Sequence, residues 1–469
     1  MIATVVFDSK EKVGDLWVYV CKISNIKIAR DYIMSVPDSD KGKWAIEELP
    51  KKWEWIDFNL FFLDGTSTNK KVPQKEYLTT GKVPIIDQGE EFIGGYTNDD
   101  SLAYDGELPV IIWGDHTRII KLVNSPFVQG ADGVKVLQPS RVVNKLYAYY
   151  AMKAIELPNK GYSRHFKFLK ESSFPLPPLN EQRRIVDKLD RIGDRQRSAR
   201  NELSHIPKLI ARYKQAVLAA ACSGKLTEDW HTNSILSSKN KLVLLSEALL
   251  ELKTGPFGSV LHKSDYVTDG IPIVNPMHIN DGNITPSSEM TISIDKSKEL
   301  SDFILKSGDV VIARRGVVGR CAVVKPKQDG WLCGTGSMIL RPKLHLLPEY
   351  LQIFLSSPNT IEVLTADAVG STMVNLNQRG LLSLEILLPS LEEQKEIVRR
   401  VEKMFAKIDK MEEEYQKAVK LCDRLEQATL AKAFRGELVP QDPNDEPASV
   451  LLEQVKREKE KGKKGVKSK

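Results

Sequence analysis

An α+β protein made by internal duplication is what the sequence predicts: two similar β-rich, mixed α/β domains separated by two long helices, packed as an antiparallel coiled coil with pseudo-two-fold symmetry. Three observations carry this reading. Pro177-Pro-Leu-Asn-Glu-Gln182 through Gly224-Lys-Leu226 returns 212 residues later as Pro389-Ser-Leu-Glu-Glu-Gln394 through Gly436-Glu-Leu438, and the two 50-residue copies share 17 identities without a gap. Each copy holds one unbroken apolar seam of helical period. Ahead of each copy lies a stretch of short β-branched runs separated by Gly, Asn and Asp turns.

The seams set the helices. In the first copy Ile185, Leu189, Ile192, Gln196, Ala199, Leu203, Ile206, Ile210, Tyr213 and Val217 follow a 4-3 spacing. In the second, Ile397, Val401, Met404, Ile408, Met411, Tyr415, Ala418, Cys422, Leu425 and Thr429 do the same. A heptad seam this long belongs to a helix packed lengthwise on another helix. Pro177 and Pro389 precede the helices, and Gly224 and Gly436 stand where left-handed caps end them. Pro207 lacks a backbone donor and predicts a kink near the middle of the first helix.

The chain divides accordingly. Residues 1–48 form an N-terminal extension with no counterpart in the second copy and no assigned role; 49–178 are the first β-rich domain and 179–226 the first spacer helix. A polar linker, 227–240, leads to the second domain, 241–390, and the second helix, 391–438, with a C-terminal segment and basic tail at 439–469. In the first domain the predicted strands are residues 83–86, 91–93, 110–113, 118–122 and 134–137. The two domains share landmarks: Tyr77-x3-Gly81-x2-Pro84 against Tyr266-x3-Gly270-x-Pro272, Gly106-Glu-x2-Val110 against Gly308-Asp-Val310, and Leu137-Gln-Pro139 against Leu340-Arg-Pro342. Helix-like runs follow at 144–154 and 348–355. The Tyr-to-Gly spacing is 29 residues in one and 42 in the other, so landmarks persist while loops diverge.

Composition narrows the function. The net charge of +6 resides in the tail, residues 456–469, and the rest of the chain sums to zero. Polyanion binding by the folded part therefore has to come from local clusters. No apolar run reaches the ~18 residues of a membrane span, and the first twenty residues lack a basic, export-type start, which places the protein in the cytoplasm. Five scattered cysteines without a CxxC pair read as reduced packing residues, and seven scattered histidines offer no metal-ligand spacing. No phosphate-binding Gly-x4-Gly-Lys-Ser/Thr loop, dinucleotide fingerprint or Asn/Asp-Pro-Pro-aromatic element of an amino-methyltransferase is present. Catalytic residues are therefore none, and Gly334-Thr-Gly-Ser337 reads as a turn before a strand.

What remains is polar loops suited to reading a surface. In the first domain they are Trp113-Gly-Asp-His-Thr-Arg118, with His116, Thr117 and Arg118, and Asn159-Lys-Gly-Tyr-Ser-Arg-His165, with Lys160, Tyr162, Ser163, Arg164 and His165. In the second they are Asn275, His278 and Asn280; Arg314, Arg315 and Arg320; and Ser371, Thr372, Asn375 and Asn377. Arg can hold a guanine edge with two hydrogen bonds and Asn an adenine edge, while Lys, Ser and Thr suit phosphates.

Two copies of a landmarked β-rich domain followed by Pro-x-Leu-x-Glu-Gln-x-x-Ile-Val, a long helix and Gly-Lys/Glu-Leu resemble the specificity subunit of type I restriction–modification systems, in particular the branch of the enteric K-type enzymes. Pro177-Pro-Leu-Asn-Glu-Gln-Arg-Arg-Ile-Val186, Arg212-Tyr-Lys-Gln-Ala-Val-Leu218, Gly224-Lys-Leu-Thr-Glu228, Ala431-Lys-Ala-Phe-Arg-Gly-Glu-Leu438 and Leu451-Leu-Glu453 carry the likeness. The resemblance covers Leu49 to the tail; residues 1–48 depart from it. It implies a non-catalytic subunit in which each target-recognition domain reads one half of a split double-stranded DNA sequence. It further implies that the helices set the gap and dock two modification (methyltransferase) subunits, with restriction (translocase and endonuclease) subunits completing the complex. No cofactor is implied for this chain; S-adenosylmethionine, ATP and Mg are implied for the partners. The rival reading is a two-headed coiled-coil scaffold that binds protein without DNA specificity.

Overall fold

The structure is a computed structural model and describes residues 4–13, 16–24, 44, 46, 48–67, 69–131, 133–158, 164–233, 241–257, 260–367 and 375–466. Two strands, β1 (Thr4–Val13) and β2 (Leu16–Ser24), pair with each other. The remainder forms two compact units. The first holds residues 24–203 and 417–469, the second 204–416. Each long helix therefore contributes one half to each unit.

Unit 1 contains β3 (Glu54–Asp57), α1 (Phe58–Phe61), β4 (Phe62–Asp64), β5 (Lys71–Val72), β6 (Val83–Ile86), β7 (Gly95–Thr97), β8 (Val110–Gly114), β9 (Ile120–Val123), β10 (Val128–Gly130) and β11 (Val134–Pro139). They are followed by α2 (Lys145–Ala154), α3 (Phe166–Lys170), β12 (Ser173–Leu176) and the long α4 (Leu179–Cys222). One sheet runs β4-β11-β8-β9, a second β5-β10-β6-β7, and β12 pairs with β3. The expected strand at 91–93 is instead a turn, because the buried Lys121 ammonium reaches over to the Glu91 carbonyl and draws the chain out of any ladder. The expected strand at 118–122 begins at Ile120, since Arg118 sits at φ +60° and cannot continue a pleat.

Unit 2 repeats the plan. After α5 (Glu228–Asn233) come β13 (Lys241–Leu244), α6 (Leu245–Ala248), β14 (Leu249–Thr254), β15 (Tyr266–Val267), β16 (Ile271–Val274), β17 (Ile279–Asn280), β18 (Asn283–Ile284), β19 (Thr291–Ile292) and α7 (Ile294–Glu299). Then follow β20 (Val310–Ala313), β21 (Cys321–Val323), β22 (Leu332–Cys333), β23 (Ser337–Pro342), α8 (Pro348–Leu355), α9 (Pro358–Asp367), α10 (Gln378–Leu382), β24 (Glu385–Leu388) and the long α11 (Leu391–Phe434). The order β14-β23-β20-β21 matches β4-β11-β8-β9, and β13-β24 matches β3-β12. In both second sheets a parallel strand lies on one side of the Pro-Ile-hydrophobic strand, β10 on β6 and β22 on β16, with an antiparallel one on the other. The expected linker at 227–240 begins as helix α5; residues 234–240 lie outside the described set.

The repeated Glu-Gln of the helix starts has a packing cause. Gln182 is buried; its Oε1 accepts from the Asn144 amide at 2.7 Å, while its Nε2 donates to the carbonyls of Pro177 at 3.0 Å and Val142 at 3.3 Å. Gln394 does the same in unit 2, accepting from the Leu347 amide at 2.8 Å and donating to Pro389 and His345 at 2.9 Å each. Asn144 and Leu347 are the residues that cap α2 and α8, so each glutamine ties a spacer helix to the helix of its own domain. Glu181 accepts from Trp53 Nε1 at 3.0 Å and Gln441 Nε2 at 2.6 Å, and burial pushes its carboxyl above the usual range. Glu393, equally buried, accepts from Thr227 Oγ1 at 2.8 Å.

Both landmark glycines end their helices in the left-handed region, Gly224 at φ +78° and Gly436 at φ +75°. Pro207 lies inside an unbroken α4. Within unit 1 the helix halves run antiparallel: Ile185 and Leu189 share a core with Leu430 and Phe434, while Arg200 meets Asp423 at 2.9 Å and Glu426 at 3.1 Å. Within unit 2 Lys214 faces Glu412 at 3.8 Å and Thr227 faces Glu393. The seam residues Ile185, Leu189, Leu203, Ile206, Ile210, Ile397, Val401, Ile408 and Leu425 are buried; Ile192, Met404 and Met411 are half-buried. In unit 1 the C-terminal helix α12 (Ala448–Val466) adds Ala448 and Leu451 to the same core as the aromatic cluster of Phe58, Phe61, Phe62 and Phe174.

Candidate nucleic-acid interface

Strand register brings together what the loops had separated. Val110 pairs with Val123 and Val310 with Val323, so the β8–β9 and β20–β21 hairpins occupy the same place in the two domains. Their tips have the same length. Gly-Asp-His-Thr-Arg-Ile fills 114–119 and Arg-Arg-Gly-Val-Val-Gly fills 314–319. Val110, Ile111, Ile112 and Val310, Val311, Ile312 are wholly buried, which anchors each hairpin in its core and leaves the tip at the surface.

In unit 1 the tip is braced from below. Asp115 is buried, and its carboxylate accepts from the Phe166 amide at 2.7 Å while its carbonyl accepts from the His165 amide at 3.0 Å. The His165 ring is fully buried with Nδ1 3.2 Å from the same carbonyl, so this histidine staples two loops. Gln88, which the sequence reading passed over, holds the other side: Oε1 accepts from the His116 amide at 3.2 Å and its carbonyl accepts from Thr117 Oγ1 at 2.8 Å. A Cβ on Gly114 would lie 2.9 Å from the Gln88 Cβ, so only glycine lets the two loops meet so closely. Beneath them the buried Lys121 stands 3.6 Å from Asp87, its ammonium pushed down by desolvation. Thr117 and Arg164 are exposed and His116 and Arg118 half-buried; Lys160, Tyr162 and Ser163 lie outside the described residues.

In unit 2 four loops converge on the tip. The Arg314 amide donates to Gly336 at 2.8 Å, and its carbonyl accepts from the Leu376 amide at 2.9 Å. Arg315 bridges to Asn375, and both are exposed. Arg320 Nη1 donates to the Pro276 carbonyl at 3.2 Å, which ties the 275–278 loop to the hairpin. His278 is buried with Nδ1 2.8 Å from the Ile273 carbonyl, and desolvation lowers its pKa; like His165 it shapes a loop instead of presenting itself. The fault in both expectations is one of depth, since a polar side chain in a turn can be consumed by that turn's own backbone. Asn377 caps α10 through the Gly380 amide at 2.8 Å, Asn280 is exposed, and Asn275 is half-buried. Ser371 and Thr372 fall outside the described residues. Phe257, another residue the sequence reading missed, is 60% exposed with its ring 5.8 Å from the Arg314 guanidinium carbon.

The landmarks themselves belong to the frame. Asp309, buried, is gripped by Arg341 through Nε at 2.8 Å and Nη2 at 2.9 Å, so Gly308-Asp and Leu340-Arg-Pro lock to each other. Among the described residues no group of three or more His, Cys, Asp or Glu could hold a metal ion, and no helix is long and apolar enough to cross a membrane.

Comparison with known proteins gives one consistent result. The sequence profile described as Type I restriction modification DNA specificity domain matches residues 58–207 and 253–420. The specificity subunit of the type I restriction enzyme EcoBI from Escherichia coli is 29% identical over 389 residues, 78% of this chain and 80% of that one. The EcoKI specificity subunit of Escherichia coli strain K12 is 31% identical over 347 residues, 69% of this chain and 74% of its own. A solved chain, from work described as the structural basis of complex assembly and conformational transition of the type I R-M system, superposes with a TM-score of 0.58 at 21% identity. It covers 83% of this chain and 100% of itself, and supports the fold.

Proposed function

The chain belongs to the type I restriction modification DNA specificity domain family, and we propose that it is the sequence-reading subunit of a type I restriction–modification complex, without catalysis of its own. Each domain reads one half of a bipartite double-stranded target through the hairpin tip and the loops packed around it. The two long helices set the gap between half-sites and dock two methyltransferase subunits, to which restriction subunits are added. S-adenosylmethionine, ATP and Mg serve those partners. The observation that carries this reading is the hairpin equivalence: one scaffold, used twice, presents loops of equal length and different chemistry at the same surface position.

A protein-binding scaffold would not need such paired, divergent tips. Exchange of residues 241–388 for the corresponding domain of a relative tests the reading. The hybrid, assembled with its methyltransferase partners, should modify DNA at a site in which one half has changed and the other has not. A hybrid that changes both halves or neither overturns modular recognition. Binding should also weaken steeply with salt through phosphate contacts.

A further inference from the structure

We propose that Arg314, laid against the exposed ring of Phe257, reads a guanine in the half-site recognised by unit 2. The inference rests on unit 2 being a DNA-reading domain and assigns one contact within it.

Three features single out Arg314 from the other arginines of the tip. Its backbone is fixed on both sides, by Gly336 through the amide and by Leu376 through the carbonyl, so the side chain departs from a rigid point. Its guanidinium carbon lies 5.8 Å from the centre of the Phe257 ring, within cation–π reach. Among the described residues no hydrogen bond or ion pair engages that guanidinium, whereas Arg320 is spent on the Pro276 carbonyl and Arg341 on Asp309 and Glu251. A guanidinium held over an aromatic ring by cation–π attraction leaves its N–H edge free for another partner. That edge matches the O6 and N7 acceptors of guanine in the major groove, the pair that an arginine fork holds with two hydrogen bonds. Arg315, exposed and, among the described residues, without a ring beneath it, suits a phosphate instead.

Phe257 is the second strand of the argument. Phe257 is 60% exposed, and contiguous exposed apolar surface marks a place where a partner docks. Met277 and Val317, from two of the converging loops, are similarly exposed. Phe257 thus acts as a positioning residue, pre-setting the arginine rotamer. In unit 1 strand register puts Gly114 at the position of Arg314. Guanine recognition through this position is therefore a property of one half-site.

The experiment uses the full chain and a duplex carrying its cognate target, identified by sequencing methylated bases in DNA modified by the assembled complex. Each guanine is replaced in turn by 7-deazaguanine, which lacks the N7 acceptor. One guanine in the unit 2 half-site should be sensitive, with affinity falling about 10-fold for the native chain, because loss of N7 breaks one arm of a two-point contact worth about 1–3 kcal/mol. Arg314→Ala should weaken native-duplex binding by a similar factor and show no further loss with that analogue. Arg314→Lys should not restore the discrimination, and Phe257→Leu should lose part of it while Phe257→Tyr keeps it. If Arg314→Ala retains full sensitivity at every guanine, or if that half-site holds no guanine on either strand, the assignment is overturned. DNA recognition by unit 2 would survive that result; it fails separately, if domain exchange leaves the half-site unchanged.

Discussion

Replacing Gln182 with methionine should open the joint between α2 and α4 without touching its counterpart in unit 2. The two side chains have similar length, so the change keeps the packing volume and removes three hydrogen bonds. It leaves the Asn144 amide and the carbonyls of Pro177 and Val142 facing an apolar group at a fully buried position. A buried polar group deprived of its partner costs about 1–3 kcal/mol, less for carbonyls that keep another lone-pair contact, so the local loss is roughly 3–6 kcal/mol. Against a domain stability of about 5–15 kcal/mol that is a large share, but it is concentrated at one cap.

Native-state hydrogen exchange at single-amide resolution is the suitable assay, because a chain of two units need not unfold in one step. The Asn144 amide should exchange faster by two or more orders of magnitude, the kinetic equivalent of about 3 kcal/mol. The amide of Leu347, held in the same way by Gln394, should keep its protection. The mirror substitution Gln394→Met should reverse the pattern. If Asn144 stays protected in Gln182→Met, or if both amides lose protection together, the glutamine is not the local tie described above.

Two further predictions follow from charge and from length. Hydrogen bonds from Arg399, with Arg400 adding to them, hold the Glu396 carboxyl down to about 2 from an ordinary value of 4.5. The carboxyl therefore contributes stability that is present above pH ~4.5 and lost as pH falls towards ~2, and Glu396→Gln should flatten the acid-side fall in melting temperature of unit 2 between pH 6 and 3; an unaltered fall would refute the linkage. Inserting one heptad into each long helix keeps the seam register and adds about 10 Å of rise, close to three base pairs, so the variant should prefer a longer gap between unchanged half-sites or lose binding; an unchanged gap at full affinity would refute the spacer role.

Much of this architecture was legible because its causes are local or periodic. The two helices, 44 residues each, announce themselves by a heptad spacing sustained over 33 residues, and Gly224 and Gly436 by the left-handed turn that a side chain would resist. Strands with three β-branched residues, such as Val83–Ile86 and Val110–Gly114, were likewise visible. Gly95–Thr97 and Val128–Gly130 were not, because three residues carry no period and become strands through the neighbours they meet. Residues 91–93 looked like a strand and are a turn, for the reach of one buried lysine cannot be read thirty residues away.

The candidate site was legible in outline and not in rank. Sequence patterning selected two hairpins that the sheets make equivalent but treated every polar loop residue alike, so His165 and His278 counted equally with Arg314 while Phe257 and Gln88 counted for nothing. Depth separates them, and depth is a property of the assembled core. The same reasoning explains why an internal duplication is informative. Residues kept in both copies, such as Gln182 and Gln394, hold backbone to backbone and would do so whatever the target. Asp309 and Arg341, among the landmarks, likewise lock strand to strand. On the proposed reading, specificity lies where register makes two positions equivalent and chemistry makes them differ, and the pairing of Val110 with Val123 and of Val310 with Val323 locates one such position. There the first domain presents glycine, which lets Gln88 close in, and the second presents an arginine on an exposed aromatic ring. An alignment built on the conserved landmarks could not place Gly114 opposite Arg314 with assurance, since the preceding spacings differ by thirteen residues; the sheet does so without reference to spacing.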